Sequence, residues 1–358
     1  VVRAGTTGES GGVVVCGDDP WSDSTQVPAD SRFMAENVRM PCIEPSSPQE
    51  VKDWVNIAFQ LGKAGRIYIG IIITTAHADG GGTVVCHRNQ YPTVNAKQRR
   101  TLQYARDIEP NLEQTVLLPP RTWQRELTMH ERHRAVMDEA RTLGVNHIQN
   151  KPQKGERVPF GFIAAGSAYA YLAHALRDLG LLGPLPILKL GMVYPVDPKI
   201  VTEFAQQCEQ VIVVEERRGF VERQVLEILN PLVQAGQLKT AVYGKRFPRD
   251  LPGIPETRGL NPSLLVERIV PLVRDHATLP VELTNGRLTA ELQRIESTAK
   301  VQVDIPTRTP AFCPGCPHRD SSSVLLELRR DLLDPQYMLQ HHQSKPVHLV
   351  CHGDTGCY

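Results

Sequence analysis

Hydrophobic and polar positions alternate along this chain in blocks that read as strand, helix, strand. Gly12 to Pro20 opens with an all-apolar run (Val13-Val14-Val15-Cys16) and closes on a polar turn, Gly17-Asp18-Asp19-Pro20. Runs of that kind belong to parallel sheets covered on both faces. From Pro48 to Phe59, Val51, Val55, Ala58 and Phe59 fall on one helical face, with Ser46 or Ser47 placed to cap it before Pro48. A second apolar strand follows at Ile67–Ile73, so this part predicts a βαβ crossover. Residues 86–154 break the rhythm. They are rich in Arg, Gln and His, with helical stretches predicted near 95–106 and 122–143, and read as a helical linker covering a neighbouring surface.

The strand–helix rhythm resumes near Pro159. Strands are predicted at Phe160–Ala165, Ile187–Gly191, Gln210–Val214 and Thr240–Tyr243. Helices are predicted at Gly166–Leu179, Pro198–Gln207, Phe220–Leu229 and 262–274. Short Gly/Pro connections and this order specify an α/β fold of open, mostly parallel sheets with helices on both faces. Ligands on such sheets sit beyond the carboxyl ends of the strands. Here those ends carry the Asp18–Gln26 loop, Gly166-Ser167, Tyr194 and Glu215-Glu216. The two glutamates read as a solvated strand end, the alternative being that they cap or orient a partner loop. Residues 280–310 read as a polar connector, and a helix is predicted from Ser321 through Leu333.

Composition narrows the class. At 358 residues, 41% hydrophobic and 22% charged, the chain has the make-up of a soluble protein of two or three domains. A net charge of +1 lacks the electrostatic footprint of a nucleic-acid binder. No apolar run approaches the roughly 18 residues of a membrane span, and no signal peptide is evident. Eight cysteines, unevenly placed, predict a reducing, cytoplasmic setting with one sulfur-ligand site. The chain starts without Met and stops on the turn after an apolar strand, so it reads as an internal piece of a larger enzyme.

The candidate chemistry is concentrated near the end. Cys313-Pro314-Gly315-Cys316 is a CxxC knuckle that turns two thiols toward one ion. With Cys357 it supplies three ligands for a [4Fe–4S] cluster. Adding Cys351 or a histidine gives a zinc site instead, and a knuckle that only packs its domain is the remaining reading. Cys16, Cys42, Cys86 and Cys208 read as plain thiols, and His341-His342 as surface. Gly353-Asp354-Thr355-Gly356 has the look of a diphosphate or Mg²⁺ turn, although a structural turn explains it equally well.

Taken together, several segments resemble the alpha subunit of the indolepyruvate:ferredoxin oxidoreductases, a branch of the thiamine-diphosphate-dependent 2-oxoacid:ferredoxin oxidoreductases. They are Val13–Pro20, Ser24-Thr25-Gln26, Asp30-Ser31-Arg32, Glu44–Asp53, Leu188–Pro195, Val213–Glu216, Phe312–Arg319 and Gly353–Tyr358. The resemblance implies a partial thiamine-diphosphate-binding fold plus a transketolase-C-like domain. Residues 1–85 would be the carboxyl half of the pyrimidine-binding domain, 86–154 a linker and 155–278 the transketolase-C-like domain. Residues 279–310 would be a connector and 311–358 the start of the diphosphate-binding domain.

It further implies that Gly315, Cys316 and His318 line the cofactor site, that Ser24, Thr25 and Gln26 face the substrate, and that Cys313, Cys316 and Cys357 hold the cluster. The implied cofactors are thiamine diphosphate, Mg²⁺ and a [4Fe–4S] cluster, with coenzyme A as co-substrate. The implied partners are ferredoxin and a small gamma/beta-type subunit or fused domain, in a homodimeric complex. No catalytic residue is assigned, because the glutamate that activates the cofactor and the usual magnesium motif would lie outside these residues, leaving this piece inactive alone. The reaction implied is oxidative decarboxylation of indolepyruvate or another arylpyruvate to acyl-CoA and CO₂. Two departures touch the substrate region: Val27-Pro28-Ala29 replaces an expected Asn-Glu-Gln, and Ile72 an expected Arg. A non-oxidative thiamine-diphosphate decarboxylase or transketolase-like enzyme, or a zinc-stabilised α/β scaffold subunit, is the alternative.

Overall fold

The computed structural model describes residues 5–6, 11–23, 25, 27–87, 118–153, 155–274, 286–304, 306 and 311–351. The chain forms two compact units. One is Val1–Asp23 with Pro28–Lys300, the other Ser24–Val27 with Val301–Tyr358.

The larger unit holds two sheets. In the first, β1 (Gly12–Asp18) and β2 (Cys42–Ile43) run parallel to β3 (Tyr68–Thr74), and β7 (Met192–Tyr194) pairs antiparallel with β2, in the order β1-β3-β2-β7. Helices α1 (Arg32–Asn37) and α2 (Pro48–Gly65) connect β1 to β3. Ser47 caps α2 as its position before Pro48 predicts, its hydroxyl accepting from the Glu50 amide at 3.2 Å. Trp54, Ala58 and Leu61 of α2 pack with Ile43, Ile69 and Ile71 into one core. A short helix, α3 (Thr75–Ala78), follows β3.

The expected helix over 122–143 is two helices, α4 (Arg121–Leu127) and α5 (Met129–Thr142), interrupted at Thr128. Met129, Val136 and Ala140 of α5 join the α2 core, so this polar stretch does cover a neighbouring surface. The stretch near 95–106 lies outside the described residues.

The second sheet runs β4-β6-β5-β8-β9, from β4 (His147–Gln149), β5 (Val158–Ala165), β6 (Ile187–Leu190), β8 (Cys208–Val214) and β9 (Ala241–Tyr243). Only β4 is antiparallel. Strand side chains alternate between faces. Phe160, Phe162 and Ala164 therefore pack under α6 (Gly166–Leu179), α9 (Pro262–Arg274) and α10 (Arg287–Ala299). Ile163, Val211 and Val213 meet α7 (Pro198–Gln206) and α8 (Phe220–Gln234) on the other face, in a core shared with Cys42 and Ile72 of the first sheet. Within 280–310, read as a polar connector, the structure shows helix α10, whose Leu288 is buried in the core of Phe160, Phe162 and Ala164.

The strand expected over 187–191 divides at Gly191, β6 staying in the second sheet and β7 entering the first. A Cβ at Gly191 would stand 2.4 Å from the Val145 carbonyl oxygen and 2.5 Å from the Trp54 ring. Asn146 Oδ1 accepts from the Gly191 and Met192 amides at 2.8 and 2.9 Å, and the Gly191 carbonyl accepts from the Glu44 amide at 2.8 Å. Only a residue without a side chain fits where the strand changes sheets.

The smaller unit contains α11 (Pro317–Leu333) and α12 (Pro335–His342). Asp334 caps α12, accepting from the Gln336 and Tyr337 amides at 2.7 and 3.2 Å. Val324, Leu325, Leu326 and Leu328 of α11 are exposed. Among the described residues, no helix is long and apolar enough to cross a membrane.

Candidate functional site

Parallel register brings the strand ends together. Asp18 pairs with Thr74 at the carboxyl ends of β1 and β3, and Ala164 with Val214 at those of β5 and β8. The residues that follow are the ones singled out by the sequence: Asp19–Asp23, Gly166-Ser167 and Glu215-Glu216.

The Asp18-Asp19 pair folds its own loop. Asp18 accepts from the Ser31 amide (2.9 and 3.1 Å) and hydroxyl (2.5 Å), while Asp19 Oδ1 accepts from the Asp23 amide at 3.0 Å. Burial raises the Asp18 pKa, and the Ser31 hydrogen bonds pull it back. Arg32, one residue on, is 4% exposed and binds across to the second sheet. Its guanidinium grips Asp30 with Nε and Nη2 (2.8 and 3.0 Å), pairs through Nη1 with Glu215 (3.0 Å), and donates from Nη2 to the Glu216 carbonyl (2.7 Å).

Glu215 and Glu216 are buried, at 2% and 5% exposure, against the expectation of a solvated end. The reason is that Glu215 caps a helix. Its carboxylate accepts from the Phe220, Val221 and Glu222 amides at 2.9–3.1 Å, neutralising the N-terminus of α8. Lys245 donates to the Glu215 carbonyl at 2.8 Å. Glu216 accepts from the Leu260 amide through Oε2 at 3.0 Å, whereas its buried Oε1 has no hydrogen-bond partner. Desolvation pushes its pKa up to about 7, against the pull of the Leu260 amide, Arg32, Lys245 and Arg217.

Glu44, at the end of β2, is buried as well and pushed up to about 7 by desolvation, although Arg32 lowers it. Its carboxyl group lies over Gly166, where a Cβ would come within 2.2 Å of Oε1. Gly166 also holds φ +52°, so two independent constraints require glycine there.

A cavity of about 320 Å³ opens beside these strand ends, bounded by Trp21, Asp23, Thr74, Ser167, Tyr171 and Glu216 among others. Sequence reasoning reached this place only through the strand-end loops. Tyr171 one helical turn into α6 and Leu260 in a distant loop gave no local signal, and Arg32 appeared only as part of a resemblance.

The sequence-predicted site residues are only partly described. Ser24, Gln26 and Cys357 lie outside the described residues; Thr25, between the first two, donates its hydroxyl to the Val27 carbonyl at 2.9 Å. Cys313 and Cys316 share one tight turn, closed by the Cys316 amide donating to the Cys313 carbonyl at 3.1 Å, with Gly315 at φ +75°. Cys316 then occupies the N-cap position of α11 without a side-chain hydrogen bond and Pro317 opens the helix, leaving His318 exposed in the first turn. That turn fits a pair of thiolate ligands, and its helix start fits a diphosphate oxygen. Among the described residues, no group of three or more His, Cys, Asp or Glu is gathered for a metal ion.

The profile of the indolepyruvate oxidoreductase domain matches residues 150–300. Indolepyruvate oxidoreductase subunit IorA of Methanothermobacter marburgensis is 32% identical, over 87% of this chain and 44% of its own length. IorA of Methanothermobacter thermautotrophicus is 30% identical over 98% of this chain and 48% of its own length. A more distant structural likeness is to a 2-oxoglutarate:ferredoxin oxidoreductase from Magnetococcus marinus, with TM-score 0.42 and 12% identity, covering 75% of this chain and 50% of that one. The chain spans about half the length of the curated relatives it matches; over that span it is similar to indolepyruvate oxidoreductase subunit IorA, and its residues 150–300 belong to the indolepyruvate oxidoreductase domain family.

Proposed function

We propose that this chain is part of an enzyme that oxidatively decarboxylates a 2-oxo acid of the arylpyruvate class, indolepyruvate above all. The acyl group passes to coenzyme A, and the electrons to ferredoxin. The observation that supports this reading is similarity at 30–32% identity over 87–98% of the chain to relatives named indolepyruvate oxidoreductase subunit IorA, with the indolepyruvate oxidoreductase domain profile matching residues 150–300.

Thiamine diphosphate, when bound, supplies the electron sink that lets CO₂ leave. In this reading Gly315, Cys316 and His318 hold it: Gly315 leaves its surroundings open, with nothing within 4 Å of a Cβ position, and α11 begins at the same turn. Mg²⁺ would sit with the diphosphate. Cys313 and Cys316, with Cys357, supply thiolates for a [4Fe–4S] cluster. Ser24, Thr25 and Gln26 face the substrate. The Asp18–Ser31 and Arg32–Glu215 contacts hold the flanks of that loop. The remaining cofactor-activating residues, the partner subunit and the homodimer belong to the complete assembly.

The test is to assay the complete protein, with its partner subunit, on indolepyruvate with coenzyme A and a viologen acceptor. Viologen reduction that depends on thiamine diphosphate supports the reading. Turnover that is indifferent to thiamine diphosphate, or aldehyde release without acceptor reduction, overturns it.

A further inference from the structure

The cavity at the strand ends carries more than the family reading uses. Two of its polar wall atoms, Glu216 Oε1 and Ser167 Oγ, are buried without any hydrogen-bond partner. Both residues are at least nine-tenths buried, at 5% and 4% exposure. An unpaired buried polar atom costs roughly 1–3 kcal/mol, so two lining one cavity indicate a missing partner. Asp23 also lines it, and both Asp23 and Glu216 act on the Tyr171 hydroxyl strongly enough to raise its pKa, behind the effect of burial. Two carboxyl groups therefore converge on one end.

Among the described residues, two of the three cations nearby are committed elsewhere. Arg32 is taken by Asp30, Glu215 and the Glu216 carbonyl, and Lys245 by the Glu215 and Pro255 carbonyls. Neither they nor Arg217 lines the cavity. The rest of the wall is aromatic and apolar at Trp21, Tyr171 and Leu260, with uncharged polar groups at Thr74, Thr75 and Asn261. The Trp21 indole lies against the backbone of Gly259, where a Cβ would overlap its Nε1 at 1.3 Å, so this wall is fixed by packing. Two carboxyls, uncharged polar groups and two rings in about 320 Å³, with no cation among the described residues of the wall, suit a small organic cation, not an anion. Too few ligands gather for a metal, since no group of three or more His, Cys, Asp or Glu is found among the described residues.

We propose that this cavity binds a small arylalkyl ammonium ion, with the ammonium group between Glu216, Ser167 and Asp23 and the ring against Trp21 and Tyr171. The site is distinct from the residues assigned to the 2-oxo acid and to thiamine diphosphate, and its existence does not depend on that assignment. An ammonium group gives Glu216 Oε1 the charged donor it lacks and favours the ionised carboxylate.

Isothermal titration of the full chain with phenethylamine tests this, using the neutral 2-phenylethanol and the anionic 3-phenylpropionate as matched controls. Phenethylamine is expected to bind saturably and at least tenfold tighter than either control at pH 8. Its ammonium stays charged between pH 6 and pH 8, whereas a carboxyl titrating at about 7 goes from mostly protonated to mostly ionised, so affinity should rise roughly tenfold. Glu216→Gln keeps an oxygen for the Leu260 amide and should lose about tenfold in affinity at pH 8 together with the pH dependence. Equal binding of the alcohol or the acid, unchanged binding by Glu216→Gln, or no saturable heat up to about 10 mM amine overturns the proposal. The amine–alcohol comparison is made on the unaltered protein and stands whether or not the variant folds.

Discussion

Arg32 is one point at which the two sheets are tied by charge, and its replacement by methionine tests that role. Met matches the aliphatic stem but removes the guanidinium. Asp30 and Glu215, with side chains 5% and 2% exposed, would then keep their carboxylates without the partner at 2.8 and 3.0 Å. Removing one member of a buried pair costs about 3–5 kcal/mol, mostly the penalty of the charge left behind. Glu215 retains the three α8 amides and the neighbouring Lys245, which places the expected loss near the lower end, about 3 kcal/mol. For a unit of this size that corresponds to a melting-temperature drop of roughly 6–12 °C, measured by circular dichroism at pH 8. Because Arg32 also pulls the Glu44 pKa down, the loss should be smaller at pH 5, where Glu44 is protonated in any case. A drop of under about 2 °C at pH 8 would refute the reasoning, showing that the amides and Lys245 already compensate the carboxylates.

Glu44 supplies a second prediction, with a sign of its own. Its folded pKa of about 7 lies above the ordinary 4.5, so between those values the folded state keeps a proton that the unfolded state has released. Stability therefore falls as pH rises through that window, by up to about 3 kcal/mol, and is flat above it. Glu44→Gln should match the parent near pH 4.5 and exceed it by up to about 3 kcal/mol at pH 8, as read from urea midpoints; a difference independent of pH would reject this. Gly191→Ala should cost about 1–3 kcal/mol or more, because the added methyl meets the Val145 carbonyl at 2.4 Å and the Trp54 ring at 2.5 Å; an unchanged urea midpoint would show that the strand crossing is not tightly packed.

Much of this fold is written locally. The all-apolar runs at Phe160–Ala165 and Val211–Val214 are strands because both faces of their sheet are covered, whereas Val13–Cys16 forms an edge strand that leaves Val15 exposed. The α2 helix was visible from its periodicity and its cap from Ser47-Pro48, but its buried face was not: Val55 and Phe59, expected inside, are exposed, and Trp54, Ala58 and Leu61 face the core because the sheet lies on that side. Strand-end loops could be marked as the place for chemistry because parallel sheets gather them on one side. The smaller unit gave its helix and its cysteine turn, since Pro317 opens α11 and Gly315 permits the turn before it.

What the order of residues left undecided was which distant groups meet. Two adjacent glutamates after a strand carry no mark of burial; that Glu215 caps α8 and Glu216 faces a cavity follows from α8 folding back over the sheet. The short β2 and β4 have too few residues to show a period, and they exist because β3 and β6 offer open edges. The division at Gly191 depends on two sheets competing for one extended segment, with Val145 and Trp54 setting the crossing point. Arg32 reaches Glu215 across 183 residues. Local patterns fix what each segment can become, because they act through neighbouring dihedrals and spacing. Charge pairing and cavities arise between segments, and only packing decides them.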